Sequence, residues 1–306
     1  MKAVVFSEFG GPEVLRVAER PVREPGPGEV RVAVAAAAVG PTDLMTRSGI
    51  SVQAGLSPAP EGAFERGLGW DVAGRVDAVG PGVELAVGDE VVGMLPAFAV
   101  PTGAQAEQVV LPAAFVAPAP EGIPAARAAT LPLNGLTART ALDEVPAEGH
   151  LLVLGGAGGI GWFAVQLALR AGLRVTATAR PEDADAVRAL GAEVVARTAR
   201  SAGSGALPTG VDTVLDTAGT GAAALAPIRD GGTLVTTAGA VPGERGIRSV
   251  QALVQPDAGR LAELSALVAK GELVLQQVVA LPLAEVAEAH RRLAAGGVGG
   301  RLVLLP

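Results

Sequence analysis

Residues 151–172 read LLVLGGAGGIGWFAVQLALRAG, and this stretch decides the fold. Its first four residues are apolar, which is typical of a strand buried on both faces. The pattern Gly156-x-Gly158-x-x-Gly161 follows directly, and a helix-period segment then runs to Gly172, where a left-handed C-cap is expected. A strand, a glycine loop and a helix in this order predict a dinucleotide site, with the pyrophosphate at the positive N-terminal end of the helix.

Each glycine of this loop has an expected role. The first permits the tight turn from strand to helix, the second lets the backbone approach a pyrophosphate, and the third lets helix and strand pack closely. Gly159 and Ile160 belong to the same cofactor-binding segment. One alternative is a glycine-rich turn that only joins core elements. A second is a membrane span, because residues 151–169 carry no charge, but five glycines in the first half of that run argue against it.

The composition excludes several classes of protein. The chain has 306 residues, 49% of them hydrophobic and 18% charged, which is enough for two folded domains. A net charge of −7 without a basic run argues against a nucleic-acid partner, and no signal peptide or membrane segment is recognised. The absence of cysteine is consistent with a cytoplasmic location. With only two histidines in addition, a tetrahedral N/S zinc site is excluded, and no tyrosine is present.

The first part of the chain, residues 1–118, reads as short β-rich segments separated by glycine and proline turns. The segment Ile50–Gly67 has little periodicity and is predicted to be a loop. Strands are predicted at Lys2–Phe6, Glu29–Ala38, Val72–Val79, Glu90–Met94 and Glu107–Leu111.

Residues 119–258 alternate strands and helices, which predicts an α/β domain with a doubly wound parallel sheet. A helix is not favoured across Arg197–Gly210, which is rich in Ser, Gly and Ala. Residues 259–306 read as helix, strand, helix, strand, at Arg260–Lys270, Leu273–Ala280, Leu283–Ala294 and Arg301–Leu305. The strands predicted for the sheet are Leu151–Leu154, Arg174–Ala179, Glu193–Val195, Val211–Leu215 and Thr233–Thr237, and the helices are Trp162–Ala171 and Glu182–Leu190.

Six ordered blocks resemble the medium-chain dehydrogenase/reductase superfamily, and within it the zinc-independent NADPH:quinone oxidoreductase-like branch. The resemblance covers essentially the whole chain. It implies a GroES-like β-barrel domain, a Rossmann domain, a C-terminal return to the first domain and an active site between the domains. By resemblance alone, a homodimer is expected. The blocks are Gly69–Val76 leading to Val79-Gly80, Gly88–Gly93, Leu131–Ala138, the glycine loop, Gly210–Thr217 and Gly299–Leu304.

The resemblance also implies roles for individual residues. Zinc-dependent relatives carry Gly-His-Glu where this chain has Gly69-Trp70-Asp71. The two histidines, His150 and His290, are expected to be structural. The residues assigned to nicotinamide and ribose binding are Asn134, Thr137, Ala218, Gly219, Ala238, Gly239 and Arg301.

The end of the second strand of the Rossmann sheet indicates the cofactor. NAD-preferring domains usually place Asp or Glu there, to bind the ribose 2′-hydroxyl. This chain has no acid before Glu182, whereas Arg180 offers a charge-assisted contact to a 2′-phosphate and Thr178 offers a hydroxyl. NADPH is therefore the predicted cofactor. The alternative is that Arg180 is a solvated arginine at the start of a loop.

The acceptor side departs from the family pattern. Many relatives carry Asn-Pro-x-Asp/Glu followed by Tyr, and this chain has Gly40 for that Asn and Met45 for that Tyr. A later tyrosine is replaced by Gln105, so no phenol can donate a proton. Thr42 is the first choice for a donor to a developing enolate, with Asp43 as the other predicted catalytic residue. Arg47, ribose hydroxyls, backbone N–H groups and water are the alternatives.

Three functional hypotheses follow. The first is an NADPH-dependent reductase that transfers hydride to a quinone or an α,β-unsaturated carbonyl, a small-molecule substrate. The second is a tailoring enzyme of the same fold that acts as an enoyl reductase or cyclase on a biosynthetic intermediate. The third is a non-catalytic NADPH-binding sensor. The glycine loop and Arg180 support all three equally, whereas Gly40, Met45 and Gln105 shift weight toward the second and third.

Overall fold

The computed structural model describes residues 1–96, 103–196 and 207–306, and it divides into two units. Unit 1 comprises Met1–Leu133 and Gln255–Pro306, and unit 2 comprises Asn134–Val254. No helix among the described residues is long and apolar enough to cross a membrane. Most of the segment in which a helix is not favoured, Arg197–Gly210, lies outside the described residues.

The N-terminal part of unit 1 is mainly β-structure. A three-stranded sheet has the order β2-β1-β4, and a seven-stranded sheet has the order β15-β16-β3-β5-β6-β8, with β7 also paired to β3. The strands before the chain enters unit 2 are β1 (Lys2–Phe6), β2 (Arg16–Glu19), β3 (Glu29–Val39), β4 (Arg66–Gly67), β5 (Asp71–Val79), β6 (Glu90–Met94), β7 (Gln108–Pro112) and β8 (Val116–Pro118). The helices are α1 (Pro41–Ser48), α2 (Ile50–Gln53), α3 (Ala125–Ala128) and α4 (Pro132–Leu142), which continues into unit 2. The returning strands are β15 (Val278–Pro282) and β16 (Arg301–Leu305).

The strand β3 is the centre of the larger sheet. Its sequence EVRVAVAAAAV alternates buried and half-buried positions at first and is almost fully buried toward its end. The small alanine side chains let other elements pack on both faces there. Strand β16 pairs antiparallel with the end of β3, with Leu302 opposite Val39 and Leu304 opposite Ala37. The C-terminal strand is therefore part of the same sheet as the N-terminal strands.

The returning segment contributes two helices, α7 (Ala258–Ala269) and α8 (Val286–Ala295). The Ser265 hydroxyl donates to the Pro118 carbonyl at 2.7 Å, which fixes α7 beside β8.

In α8, His290 is fully buried on the same side as Val286, as the sequence predicts for a structural histidine. Burial and the positive charge of Arg47 together lower the pKa of His290 to about 3, so this imidazole is neutral.

Unit 2 is a six-stranded, all-parallel sheet with the order β11-β10-β9-β12-β13-β14. The chain runs outward from β9 through β10 to β11, and then returns to the other side of β9 through β12. The strand order therefore reverses between β9 and β12, which is the switch point where open α/β sheets bind ligands. The strands are β9 (His150–Leu154), β10 (Arg174–Ala179), β11 (Glu193–Ala196), β12 (Val211–Asp216), β13 (Ile228–Thr236) and β14 (Arg248–Gln251). The helices between them are α5 (Gly159–Arg170) and α6 (Ala184–Arg188).

Some predicted elements are wrong in extent or in kind. The segment Ile50–Gly67 is not only a loop, because it begins with α2 and ends with β4. The predicted helix Glu182–Leu190 is shorter, since a 3₁₀ turn at Pro181–Asp183 precedes α6. The strand predicted at Leu273–Ala280 is β15, which begins at Val278. Leu273 and Leu275 are buried without pairing, so their apolar character reflects burial rather than a strand.

Candidate cofactor and acceptor sites

The glycine loop of unit 2 joins β9 to α5, and its tight turn lies at Gly155. This residue has a φ of +87°, a conformation that favours glycine, whereas Gly156 does not. The expectation that the first motif glycine makes the turn is therefore wrong. The Gly155 N–H donates to the Thr178 hydroxyl at 2.9 Å, and the Gly156 N–H donates to the Thr178 carbonyl at 2.8 Å. Two hydrogen bonds to the end of β10 thus fix the start of the loop.

The other glycines are required because neighbouring atoms leave no room for a side chain. A Cβ on Gly156 would lie 2.7 Å from the Ala177 Cβ on β10. A Cβ on Gly161 would overlap the carbonyl oxygen of Gly155. Gly161 thus brings the first turn of α5 against the end of β9, as the sequence predicts for the third glycine.

The helix α5 directs its N-terminus toward the loop. Gly158 is the N-cap, and Trp162 is the first residue whose N–H bonds back to it, at 2.8 Å. The N–H groups of the first turn, on Gly159, Ile160 and Gly161, have no partner of the i−4 type within a helix. Together with the positive helix end they suit an anionic group, so the residues present fit the pyrophosphate of a dinucleotide.

Two further loops are held at the same edge of the sheet by Asp216, a fully buried residue at the end of β12. Its carboxylate accepts hydrogen bonds from the Ala218 and Thr220 N–H groups at 3.0 and 2.7 Å. Its carbonyl accepts the Thr237 N–H at 3.1 Å. Gly219 has a φ of +69°, and a Cβ there would lie 3.4 Å from the Ala238 Cβ.

The loops that carry Ala218–Gly219 and Ala238–Gly239 are therefore neighbours. Thr217 connects them to the glycine loop, because its hydroxyl donates to the Leu154 carbonyl at 2.8 Å. The structure thus brings together, at the carboxyl edge of one sheet, five groups of predicted cofactor residues: the glycine loop, Thr178, Arg180, Ala218–Gly219 and Ala238–Gly239.

The end of β10 holds the two residues predicted to choose the cofactor. Thr178 is buried, and its hydroxyl oxygen anchors Gly155. Arg180 is partly exposed, with 45% of its side chain accessible, and it pairs with Asp183 at 2.7 Å and Glu182 at 3.3 Å. The last residue of the strand, Ala179, carries no carboxylate.

The remaining predicted residues lie elsewhere. Asn134 and Thr137 are buried on α4, within its first two turns. Thr42, Asp43 and Arg301 all belong to unit 1. They form a separate group, which the pairing of β16 with β3 assembles.

The pairing of Leu302 with Val39 places Arg301 beside Gly40, where β3 ends. A Cβ on Gly40 would lie 3.7 Å from the Thr42 Oγ1, 3.8 Å from an Nη2 of Arg301 and 4.0 Å from the Asp43 Oδ2. These three polar groups therefore face the small volume that the missing side chain leaves open. Among the described residues, the buried Thr42 Oγ1 has no hydrogen-bond partner.

Asp43 closes the N-terminus of α1. Its Oδ2 accepts the Gly40 N–H at 2.8 Å and its Oδ1 accepts the Gly69 N–H at 3.1 Å. The residue is only 1% exposed, and burial raises its pKa to about 7 although both hydrogen bonds and Arg301 lower it.

Sequence reasoning missed Asp71, whose carboxylate accepts a backbone N–H at the start of α4, as that of Asp43 does at α1. The residue is 4% exposed, and its Oδ1 accepts the Leu133 N–H at 2.6 Å. Burial, with a smaller effect of the negative charge of Asp43, raises its pKa to about 7 against the lowering effects of the Leu133 hydrogen bond and Arg301. The signal in the sequence is a carboxylate between two apolar residues, Trp70 and Val72, at the start of a buried strand.

Two protein families match the chain. Residues 26–121 match the alcohol dehydrogenase GroES-like domain, and residues 190–304 match a family described as zinc-binding dehydrogenase. A quinone oxidoreductase from Pseudomonas aeruginosa is 35% identical over 100% of this chain and 99% of its own length. A chloroplastic NADPH-dependent alkenal/one oxidoreductase from Arabidopsis thaliana is 33% identical over 100% of this chain and 80% of its own. The chain belongs to the medium-chain dehydrogenase/reductase superfamily.

Within the superfamily, the relatives place the chain in the quinone oxidoreductase-like branch. The fold agrees: a solved NAD-dependent alcohol dehydrogenase superposes with a TM-score of 0.84 and 32% identity, covering 100% of both chains. The GroES-like domain and the Rossmann sheet predicted from sequence are both confirmed.

The description of one family as zinc-binding is not matched by a ligand set here. The chain has no cysteine and two histidines, and Trp70 stands where zinc-dependent relatives carry a histidine. Within residues 1–96, 103–196 and 207–306, no three His, Cys, Asp or Glu side chains converge in a way that would hold a metal ion.

We predict that Gly161→Ala destabilises unit 2 and abolishes tight cofactor binding. The new methyl group would overlap the Gly155 carbonyl, and overpacking of this kind costs about 2 kcal/mol. The matched control is Gly172→Ala at the other end of α5, where the φ of +85° also makes alanine unfavourable but no atom lies within 4 Å of the new Cβ, so this variant should lose stability and keep its cofactor affinity. Denaturant unfolding and cofactor titration measure both effects. Normal cofactor affinity in the Gly161 variant would contradict the close approach.

Proposed function

We propose that this protein is an NADPH-dependent reductase that transfers hydride to a quinone or an α,β-unsaturated carbonyl without zinc. The observation that carries the proposal is the glycine loop at the switch point of the unit 2 sheet, in a chain whose full-length relatives are named as oxidoreductases of these substrates. When bound, the cofactor supplies hydride. The residues proposed to hold it are the glycine loop, Thr178, Arg180, Ala218–Gly219, Ala238–Gly239, Asn134, Thr137 and Arg301.

Arg180 supports NADPH over NADH. Its ion pairs with Asp183 and Glu182 lie at the surface, where such pairs contribute little, so a 2′-phosphate can compete for the guanidinium. NAD-preferring domains usually carry a carboxylate at the end of this strand, and Ala179 is the last residue of β10. The relatives' names point both ways, because the Arabidopsis enzyme is named for NADPH and the solved alcohol dehydrogenase for NAD. The charge at position 180 is therefore the property to test.

We predict that Arg180→Glu weakens NADPH binding on the order of 100-fold, because a charge-assisted phosphate contact is replaced by repulsion. NADH affinity should change little. The control is Arg188→Glu, since Arg188 is also an exposed arginine paired with an aspartate three residues away, on α6. Fluorescence titration of both cofactors with the three proteins measures the effect. Equal losses for NADPH and NADH would rule out the assignment.

On the acceptor side, Thr42 is proposed to donate to the oxygen that gains charge during hydride transfer. Its buried hydroxyl oxygen is unpartnered among the described residues, and it faces the same open position at Gly40 as Arg301 and Asp43 do. A preorganised donor of this kind is worth more than one in water, because it needs no reorganisation during the reaction. Since the chain has no tyrosine, this hydroxyl is proposed to replace the phenol of relatives.

Thr42→Val should lower the turnover number on the order of 100-fold, the cost of removing one oxyanion donor. The substitution keeps the shape and removes the hydroxyl, whereas Thr42→Ser keeps the hydroxyl and should retain most of the activity. Steady-state oxidation of NADPH with an enone and a quinone measures both variants. If valine and serine variants are equally active, Thr42 does not act as the donor.

We also propose that the protein is a homodimer formed through β14. This strand is at the edge of the unit 2 sheet, and within the described part of the chain no strand pairs with the outer side of its backbone. Leu253, two residues beyond it, is 60% exposed. Sedimentation should give a mass about twice the 30.3 kDa of the chain, and Leu253→Glu should shift it toward monomer. Val87→Glu, at an equally exposed residue of unit 1, is the control, and a monomeric wild-type protein would refute the proposal.

A further inference from the structure

The Asp216 carboxylate holds residues 217–221, which follow β12 and which we call the 217–221 turn. Asp216 is fully buried, whereas Ala218 and Gly219 are exposed. The Asp216 Oδ1 accepts the Ala218 N–H at 3.0 Å. The Oδ2 accepts the Thr220 N–H at 2.7 Å, the Thr220 hydroxyl at 2.9 Å and the Gly221 N–H at 3.2 Å. Hydrogen bonds to a carboxylate are among the strong ones, so they fix the course of the turn.

The 217–221 turn has one N–H group left over, that of Gly219. The Thr217 N–H donates to the Leu154 carbonyl at 3.1 Å, and the Ala218, Thr220 and Gly221 N–H groups donate to Asp216. Within the described part of the chain, the Gly219 N–H alone in this turn has no protein acceptor. Because backbone N–H groups are strong donors, the exposed Gly219 amide is the group that the turn presents to a ligand.

The main chain of Asp216 also holds the loop after β13. Its carbonyl accepts the Thr237 N–H at 3.1 Å. The Thr236 hydroxyl accepts the Ala238 N–H at 3.3 Å. A Cβ on Gly219 would lie 3.4 Å from the Ala238 Cβ, so the two loops approach each other closely. Asp216 therefore positions both loops with respect to each other.

The strand order indicates which half of a dinucleotide these loops would meet. Strand β10 lies on one side of β9, and β12 and β13 lie on the other. A dinucleotide that binds across this switch point places its two halves on opposite sides of it. Arg180, which is proposed to contact the 2′-phosphate, follows β10, so the adenosine half belongs to that side. The loops after β12 and β13 then belong to the nicotinamide half.

We propose that Asp216 is a positioning residue for the nicotinamide half of the cofactor. Its carboxylate takes up the neighbouring N–H groups of the 217–221 turn and so leaves the Gly219 amide directed at that half. The inference rests on the proposed binding of NADPH. Asp216 is fully buried and acts only through the turn. Loosening the turn should therefore weaken recognition of one half of the cofactor and spare the other.

The test compares the whole cofactor with its adenosine half. Isothermal titration calorimetry measures the dissociation constants of NADPH and of adenosine 2′,5′-bisphosphate, which carries the 2′-phosphate and lacks the nicotinamide. Asp216→Asn keeps the size of the side chain, but either orientation of the amide turns its NH₂ group toward backbone N–H donors. NADPH affinity should fall on the order of 10-fold, whereas bisphosphate affinity should stay within about twofold of the wild type.

Thr220→Pro is a second variant that leaves Asp216 in place. Thr220 has a φ of −78°, which proline can adopt, and proline removes both the N–H and the hydroxyl that donate to the Asp216 Oδ2. Its binding should match that of Asp216→Asn, and it decides alone if Asp216→Asn does not fold. The matched control is Thr220→Val, which loses only the hydroxyl bond and should bind NADPH nearly as the wild type does.

The pattern of losses distinguishes the proposals. Equal losses of NADPH and bisphosphate affinity in Asp216→Asn and Thr220→Pro would show that Asp216 only supports the fold of unit 2, and would overturn the inference. Unchanged NADPH affinity in these variants would overturn it as well. A wild-type protein that binds neither ligand would contradict both the inference and the proposed function. A bisphosphate affinity that Arg180→Glu leaves unchanged would contradict only the assignment of NADPH.

Discussion

The close approach of α5 to the end of β9 is the constraint on which the cofactor site depends. Gly161 lies against the Gly155 carbonyl, and no residue with a Cβ fits there. The contact fixes where the helix begins and therefore where its positive end and first N–H groups point. The other loops at the carboxyl edge of the unit 2 sheet are held by side-chain hydrogen bonds. Thr178 holds the loop from one side, and Asp216 organises the neighbouring loops from the other.

Unit 1 is organised by a different constraint, the pairing of the last strand with the end of the alanine-rich β3. The pairing of Leu302 with Val39 brings Arg301 beside Gly40, and in the folded chain the negative charges of Asp43 and Asp71 act on its guanidinium. Burial lowers the pKa of Arg301, and the two carboxylates raise it. Three charged residues that are far apart in the sequence, Asp43, Asp71 and Arg301, thus interact electrostatically in the folded chain.

Sequence reasoning predicted the strands that have a clear apolar pattern, because that pattern reflects burial directly, but it missed the short strands β2, β4, β8 and β14. The predicted bounds of β1, β6, β10 and β16 agree with the structure. Helix α1 was missed for a physical reason: the side chains that it buries are Asp43, Thr46 and Arg47, so no apolar period marks it. The signals that remain are at its ends: Pro41 and the acidic Asp43 in the first turn, and Arg47 before the C-cap Gly49 in the last.

Part of the candidate site could also be predicted from the sequence. The glycine loop is local in sequence, and its dinucleotide chemistry can be read from spacing alone. The sequence could not predict that the tight turn lies at Gly155, because the two adjacent glycines differ in backbone conformation and not in residue type: Gly155 has a positive φ and Gly156 does not. Asp71 could not be assigned either, because its partner Leu133 is 62 residues away and its coupling to Arg301 exists only in the folded sheet.

The most direct test of the central claim is single-turnover oxidation of NADPH by the wild-type protein with a quinone and an enone, with the product identified. The account predicts that NADPH absorbance falls in step with one equivalent of hydroquinone or saturated ketone, in the presence of a metal chelator. Tight binding of NADPH with no oxidation by any acceptor would contradict it.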